Sequence, residues 1–321
     1  MKINCPSYNI LISPDETILV NNNNKVSLFA ITKNGFNELK QFNVFKNPSR
    51  AALSSDGKML AYSNTSGHIA VHDIETGNLL VKSKCLSKEG YNLHFVNNDT
   101  QIISSEWSGD VFILDIESGK TTMLNSFPLH NSTNLMPIAK NHFIVIGSIL
   151  AGGTLAYNFQ IDNNEATFTE LFSSYPHRLE SSSFICSENE VFFYGGNTNN
   201  SSSTWLNKDI AENSLFSYSF STKKFCSIID IQQLLGINCS LNSDYGYFAS
   251  MCISKSKQYA LIGFSNSIII VDLLNKKHIG TIKAKYLSSL NFVKSDTEVI
   301  VGTWNNIQII DFQDLCQMEQ C

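Results

Sequence analysis

Side chains that could carry out catalysis are scattered through this chain rather than grouped. No motif places a serine nucleophile, a zinc-binding histidine pair or a phosphate-binding loop, and the glycines within residues 147–153 lack the lysine that such a loop needs. The eight cysteines include no Cys-x-x-Cys pair. The sequence therefore predicts a protein that is not an enzyme, with no catalytic residues, no metal site and no cofactor.

Aromatic side chains form the second group that could act, by contacting a partner. Tryptophan and tyrosine are frequent in contact hot spots because they offer a large area with few rotors to immobilise. We predict a partner-binding face that carries Trp107, Trp205, Trp304, Phe264, Tyr175, His177 and Arg178. Alternatives remain open for some of them. Trp107, Phe264 and Trp304 occupy the same position of a sequence repeat and could pack inside the fold at the ends of strands, and Trp205 could anchor its own polar loop.

The composition is that of a globular chain with little charge. Of 321 residues 43% are hydrophobic and 16% are charged, which excludes an intrinsically disordered chain. The net charge of −5 and the lack of any lysine or arginine block argue against binding to nucleic acid or anionic lipid. No apolar segment of a secretory signal follows Met1. Residues 143–161 are uncharged and long enough to span a membrane, but the glycines that interrupt them predict two strands and a turn. We expect a cytoplasmic protein without a membrane span, with a nuclear location or export into a host cell left open.

The elements that must position these side chains repeat along the chain. Residues 99–115 align with residues 296–311 after deletion of one turn residue, and both segments contain an apolar run that ends in aspartate. The same pattern recurs at anchors about 42 residues apart, with one wider gap of about 67, and such a period predicts a repeat architecture. The anchors are Asp15, Asp56, Asp99, Asn141, Asn189, Ser256 and Asp296.

Each repeat contains four short runs rich in Ile, Val, Phe and Tyr, separated by turn pairs such as Asp-Gly and Ser-Gly. In the second repeat these runs predict strands at residues 51–54, 58–63, 68–74 and 78–83. Four such strands form one blade, which buries both faces only against neighbouring blades. We therefore predict an all-β fold, a single-domain seven-bladed β-propeller of four-stranded antiparallel blades. The predicted blades are residues 7–47, 48–88, 89–130, 131–177, 178–232, 246–285 and 286–321. Either residues 315–321 or residues 1–5 could supply the last strand of the seventh blade.

Four predicted third strands end in a signature that points to a family. Ile113-Leu-Asp115, Ile270-Val-Asp272 and Ile309-Ile-Asp311 share an apolar-Asp ending, and His72-Asp73 holds the same place in the second repeat. Over its whole length the chain resembles a degenerate WD-repeat propeller, because each aspartate stands where that family has the Asp of its Trp-Asp pair. Tryptophan is absent from these pairs and no Gly-His dipeptide precedes the first strands, so the family's Asp-His-Ser/Thr-Trp network is incomplete here. Turn chemistry predicts that these aspartates accept backbone N–H bonds between third and fourth strands.

The longest connections fall on one predicted face, which carries the loops between second and third strands and the links between blades. Two insertions, residues 195–213 and 231–247, extend this face, and the second could begin as a short helical turn or as a buried plug. Long loops on a rigid scaffold are frequent binding sites. The first strands of the predicted blades contain no carboxylate and a single histidine, His94, so a metal site is not expected there.

Together these features predict a non-catalytic scaffold or adaptor that binds a protein or peptide, by itself or as a subunit of a larger complex. The alternative is a propeller that binds a glycan or another small ligand through the same aromatic side chains and Asn-rich loops. A propeller enzyme is the third possibility and the one with the least support in the sequence.

Overall fold

Strands account for almost all regular structure in a computed structural model of the chain. The structure describes residues 2–4, 9–12, 17–21, 25–32, 35–85, 90–106, 108–149, 153–162, 165–173, 183–187, 189–195, 213–236 and 245–317. Within these ranges there are 28 strands and two short helices, α1 (Ile231–Leu234) and α2 (Phe312–Gln317). The strands form seven four-stranded sheets in which every described pair is antiparallel.

Two compact units divide the chain, and four of the sheets lie in what we call the N-terminal unit, residues 9–32 and 37–176. In each of its sheets the strands follow chain order. The first two residues of β5 are grouped with the other unit. The strands are β2 (Asn9–Ile12), β3 (Thr17–Asn21), β4 (Val26–Thr32) and β5 (Gly35–Phe42); β6 (Pro48–Leu53), β7 (Met59–Asn64), β8 (His68–Asp73) and β9 (Leu79–Lys84); β10 (Gly90–Val96), β11 (Gln101–Glu106), β12 (Asp110–Asp115) and β13 (Thr121–Ser126); and β14 (His130–Ala139), β15 (His142–Ser148), β16 (Thr154–Asp162) and β17 (Glu165–Ser173).

The C-terminal unit, residues 1–8, 33–36 and 177–321, contains the other three sheets. Two of them again use consecutive strands. These are β18 (Ser183–Ser187), β19 (Glu190–Gly195), β20 (Ser214–Ser219) and β21 (Lys224–Asp230), and then β22 (Phe248–Ile253), β23 (Tyr259–Phe264), β24 (Ser267–Asp272) and β25 (Lys277–Lys283). The last sheet contains β1 (Lys2–Ile3), β28 (Ile307–Asp311), β27 (Glu298–Thr303) and β26 (Leu287–Val293), in that order.

The last sheet corrects the predicted fold class. The predicted seven-bladed propeller is wrong: the structure has six blades that are each formed by one stretch of chain, and its remaining four-stranded sheet is composite. β1 pairs with β28 through Lys2↔Gln308 and Ile3↔Ile307, so the N-terminal segment supplies the fourth strand. The alternative, a fourth strand from residues 315–321, is wrong because β1 occupies the place beside β28, and the described part of that segment, residues 315–317, belongs to α2.

The predicted strands of the second repeat show why these residues form strands. The expected segments 51–54, 58–63, 68–74 and 78–83 agree with β6 to β9 within three residues. Leu60 and Val71 lie in runs of consecutive buried residues and are themselves fully buried, as expected for strands covered on both faces. Gly67 lies in the turn between β7 and β8 at φ 80°, a left-handed conformation that favours glycine, and its N–H donates to the Asn64 carbonyl.

Each hydrophobic core described here lies between two successive sheets. In the N-terminal unit Ala61 and Val71 of one sheet pack with Leu93 and Ile102 of the next. In the C-terminal unit a core of the same kind joins the sheet β18–β21 to the sheet β22–β25. A blade therefore gains a core only from a neighbouring blade, as the repeat pattern requires. In the described part of the chain no helix is long and apolar enough to cross a membrane.

Candidate binding surface

Only two of the seven residues predicted for the partner-binding face lie in the described part of the chain. These are Phe264 and Trp304. The other five lie outside the described residues: Trp107, Trp205, Tyr175, His177 and Arg178.

Phe264 and Trp304 do not occupy equivalent positions. Tyr259 pairs with Asp272 in one hairpin and Glu298 pairs with Asp311 in the other, so Phe264 corresponds to Thr303 and not to Trp304. The sequence alignment missed this offset because the β23–β24 turn has two residues whereas the β27–β28 turn has three. Phe264 is fully buried, with its ring 5.6 Å from that of Tyr194 and 6.2 Å from that of Phe248. Phe264 therefore packs inside the fold, which was the alternative considered for it, and its side chain is not accessible to a partner.

Trp304 belongs to an exposed group that we call the aromatic patch, made of Tyr247, Tyr286 and Trp304. Their exposed fractions are 79%, 48% and 55%. The rings of Tyr286 and Trp304 stack with centroids 5.5 Å apart and planes 13° from parallel, and the ammonium of Lys285 lies 5.9 Å from the Tyr286 centroid. Sequence reasoning missed both tyrosines, because they lie in links between blades that carry no repeat signal.

Backbone hydrogen bonds fix the patch to the ends of two sheets. The Ser265 N–H donates to the Tyr247 carbonyl at 2.7 Å, and the Ser265 carbonyl accepts from the Leu287 N–H at 3.2 Å. The Trp304 N–H donates to the Tyr286 carbonyl at 3.1 Å. Tyr286 itself has a left-handed backbone, with φ 58°, which is costly for a bulky residue and persists only where the surroundings enforce it.

Beside the patch lies a groove of about 290 Å³, between the sheet β22–β25 and the composite sheet. Its floor is apolar and contains Ile268, Ile282, Val301, Ile310 and Leu315. Its rim contains Lys283, Lys285, Asn305, Asn306 and Gln308. The described residues that line it include two lysines and no carboxylate, so the groove carries positive charge.

The stems of the two predicted insertions meet in the C-terminal unit. Residues 196–212 connect β19 to β20, and residues 237–244 follow α1; both segments lie outside the described residues. At the stem, the Asn213 carbonyl accepts from the Ile231 N–H at 3.2 Å, and the Asn213 side chain donates to Gln232 at 3.1 Å. The Tyr194 hydroxyl donates to Asn213 at 3.0 Å. Residues 231–234 form the short helix considered from the sequence, with Ile231 fully buried.

Three of the four signature aspartates lie in turns between third and fourth strands. Asp73 accepts from the Thr76 N–H and hydroxyl, both at 2.7 Å, and these bonds hold the pKa of its carboxyl below the usual value. At Asp115 the Ser118 hydroxyl, at 2.6 Å, and then its N–H lower the pKa in the same way. At Asp272 the Asn275 N–H, at 2.9 Å, is the main cause of the lowered pKa.

Asp311 differs from the other three, because no fourth strand follows it along the chain. Its carboxylate accepts from the Gln313 N–H at 2.8 Å and from the Asp314 N–H at 3.4 Å, and so caps the first turn of α2. The prediction of a turn to a fourth strand is therefore corrected at Asp311.

The described residues contain no group of three or more His, Cys, Asp or Glu side chains placed to hold a metal ion. His94 on β10 uses its Nε2–H to donate to the Leu135 carbonyl at 2.9 Å, and its ring lies 5.4 Å from that of Phe143. Burial lowers the pKa of His94 to about 4, so the ring is neutral at physiological pH. Its contacts are those of a residue that joins β10 to β14.

Comparison with known proteins identifies the fold. No protein-family model and no curated protein matches the chain, so the WD-repeat likeness stays a resemblance. Among solved structures, Kuenenia stuttgartiensis hydrazine synthase superimposes with a TM-score of 0.72 at 12% identity, over 97% of each chain. The Cps50 (Swd1) β-propeller domain of Myceliophteria thermophila superimposes with a TM-score of 0.67 at 12% identity, over 97% of this chain and 99% of that one. At such identity the likeness shows the fold alone: the chain is an all-β propeller with four-stranded antiparallel blades.

Proposed function

We propose that the protein is a non-catalytic binding module that holds a protein or peptide partner on the aromatic patch and the adjoining groove. The observation that carries the proposal is the exposed Tyr286–Trp304 stack on a turn with an enforced left-handed residue. Stacked rings held in place before binding give a partner a large contact area at a small entropic cost. The partner could bind this module by itself or within a larger assembly.

The groove indicates the chemistry of the partner. Its apolar floor fits one or two aliphatic or aromatic side chains, and Lys283 and Lys285 on its rim favour a nearby acidic residue. We therefore propose an acidic peptide segment with an apolar anchor, the anchor lying in the groove and the chain crossing the Tyr286–Trp304 stack.

The propeller fold does not decide between binding and catalysis, because the hydrazine synthase also superimposes on this chain. We therefore propose a binding role from the residues of the site. The patch and groove contain apolar, amide and ammonium groups, and their described residues include no paired acid and base. A cytoplasmic location is likewise a proposal. It is supported by the free thiols of Cys85, Cys226, Cys252 and Cys316.

A peptide selection tests the proposal. Peptides of random sequence would be selected on the wild-type protein, and the affinities of the best would be measured by fluorescence anisotropy for Trp304→Ala and Lys285→Glu. Leu274→Ala is the matched control, because Leu274 is also exposed but lies at the opposite end of the neighbouring sheet β22–β25, in the turn between its third and fourth strands. We expect peptides that combine acidic and apolar residues, and a loss of about 30-fold for Trp304→Ala, the size of a hot-spot residue. Selected peptides that bind Trp304→Ala as tightly as the wild type would exclude this surface.

A glycan-binding role is the second candidate, because Trp304 is followed directly by the rim amides of Asn305 and Asn306. An exposed aromatic face beside amide groups also suits a sugar ring, which stacks and forms hydrogen bonds. A glycan array would separate the two: binding that is lost in Trp304→Ala, together with a failed peptide selection, would favour the glycan.

A further inference from the structure

A second cavity, of about 420 Å³, lies in the N-terminal unit and is lined by the first strands of its four sheets, β2, β6, β10 and β14. Apolar side chains such as Leu11, Leu53 and Phe95 form part of its wall. Arg50, Asn92 and His94 supply polar groups along the strands. This cavity is separate from the aromatic patch, which lies in the other unit.

Arg50 is the distinctive residue of this cavity. The chain contains only two arginines, Arg50 and Arg178. The first strands described in the seven sheets contain no Asp, Glu or Lys, so Arg50 is the one permanently charged residue among them. Sequence reasoning overlooked it because the first strand of this blade was expected to begin at Ala51, whereas β6 begins at Pro48.

The register places Arg50 in a row with two asparagines. Ala51 pairs with Tyr62, Leu93 with Ser104 and Leu135 with Val145, at matching positions of three successive sheets. The residues just before them, Arg50, Asn92 and Asn134, therefore share one level. The Asn92 amide donates to Asn134 Oδ1 at 3.3 Å, which links the second and third members of the row.

The charges that line the cavity favour an anion. Asp99, its only lining carboxylate among the described residues, accepts from the Ser55 N–H at 3.0 Å and from the Ser55 hydroxyl. Ser55 follows Arg50 by five residues of largely extended chain, so the Arg50 and Ser55 backbones lie roughly 15 Å apart. Lys140 lies at the Asp99 end, where it donates to Asn98. Two cationic side chains thus face one carboxylate in a protein whose net charge is −5.

We propose that this cavity binds a carboxylate, held by the Arg50 guanidinium and the amides of the same row. A guanidinium has five N–H donors in a planar fork, so it can bind a carboxylate through two bonds while one N–H donates to the Ser49 carbonyl at 3.2 Å. The wall of Leu11, Leu53 and Phe95 suits the methylene groups that accompany such a carboxylate. The ligand is either a small dicarboxylic acid or the acidic side chain of a partner segment that enters the cavity.

Calorimetric titrations with three probes test this site: glutarate, a blocked Ala-Glu-Ala tripeptide and the matched Ala-Gln-Ala tripeptide. The full-length wild type would be compared with Arg50→Gln, Arg50→Lys and the control Lys120→Gln, which removes one exposed positive charge elsewhere in the same unit. We expect glutarate or the Glu peptide to bind the wild type and the Gln peptide not to bind. Arg50→Gln should weaken binding about tenfold or more, Arg50→Lys should weaken it less, and Lys120→Gln should leave it unchanged.

Binding of glutarate alone would identify a free acid, whereas binding of the Glu peptide would identify a partner side chain; either supports the site. The proposal is overturned if neither probe binds at millimolar concentration, or if Arg50→Gln binds like the wild type. Melting curves would show whether Arg50→Gln folds. If it does not, Asn92→Asp tests the site with Arg50 retained, because a carboxylate in the same row as Arg50 should repel the ligand and abolish binding, and unchanged binding would again overturn the proposal. Trp304→Ala should not affect these titrations, so this site and the proposed function can fail independently.

Discussion

Acid should destabilise the fold through His94, and the structure gives the size of the effect. His94 donates from Nε2 to the Leu135 carbonyl, which cannot donate in return, so the ring is a neutral Nε2–H tautomer. Protonation would place a third positive charge in a cavity that already contains Arg50 and Lys140, with Asp99 at its far end. Burial is the main cause that lowers the pKa of His94 from 6.5 to about 4 in the folded state.

The sign follows from proton uptake in the two states. The unfolded chain protonates His94 near pH 6.5, whereas the folded protein does so only near pH 4, so between these values the unfolded state binds more protons. The contribution of His94 to stability is therefore complete above about pH 7.5 and decreases as the pH falls towards 4. Linkage gives a loss of about 2 kcal/mol in the free energy of unfolding between pH 7.5 and pH 5.

Urea denaturation at pH 7.5 and pH 5.0 measures this loss for the wild type and for His94→Gln, whose amide can still donate to Leu135. Other titrating groups contribute equally to both proteins, so the pH-dependent loss should be about 2 kcal/mol smaller in the variant. Asn92→Ala is the matched control: it removes a neighbour on the same strand, keeps His94, and should retain the full pH dependence. If wild type and His94→Gln lose the same stability between the two pH values, the inferred burial of the neutral ring is wrong.

Three further predictions concern turns and thiols. Gly109→Ala should lower the free energy of unfolding by more than about 1 kcal/mol in urea titrations, because Gly109 has φ 93° and a Cβ there would lie 2.2 Å from the Phe127 carbonyl oxygen; a neutral effect would contradict this turn geometry. Asp99→Ala should cost about 1 to 2 kcal/mol by the same assay, since it removes the acceptor of the Ser55 N–H, while Asp99→Asn should recover part of the loss. Cys226 is exposed whereas Cys252 is buried with a raised pKa, so a thiol reagent should label Cys226 in the native protein and Cys252 only after unfolding. Mass spectrometry of the labelled peptides measures this, and labelling of Cys252 before Cys226 would contradict the side on which each strand carries its cysteine.

The sequence was sufficient to predict elements whose signal is local and repeated. Short apolar runs of Leu, Ile, Val and Ala between Gly-containing turns placed the strands of the second repeat within three residues, because run length and turn conformation are both determined by nearby residues. The same local signals could not decide which end of the chain completes the last sheet. That choice depends on the pairing of Lys2 with Gln308, two residues that are far apart in sequence.

The candidate surface was harder to predict because it depends on small differences between repeats. One additional turn residue exposes Trp304 after β27, while Phe264 ends β23 and packs with Tyr194. The left-handed backbone of Tyr286 and the early start of β6 at Pro48 are equally invisible in the pattern of apolar residues. Such features arise from bulges and loops that interrupt the repeat, and side chains that can bind a partner gain their exposure there.

The repeat anchors themselves have a tertiary role that explains their residue types. Asp99 accepts from the Ser55 N–H, Asn141 from the Asn97 N–H and Asp296 from the Ser256 N–H, in each case from the equivalent turn of the preceding sheet in the same unit. The turns that end in Asp99 and Asp296 each contain three successive residues with φ between 47° and 71°. This left-handed backbone is unfavourable for most side chains and least so for Asn and Asp, and the hydrogen bonds between sheets offset its cost. These three pairs of sheets are thus held together at the turns between first and second strands, by bonds that do not involve the tryptophans missing from the apolar-Asp pairs of this chain. The opposite ends of the sheets carry the aromatic patch and the insertion stems, and these ends can vary from blade to blade without weakening those inter-sheet bonds.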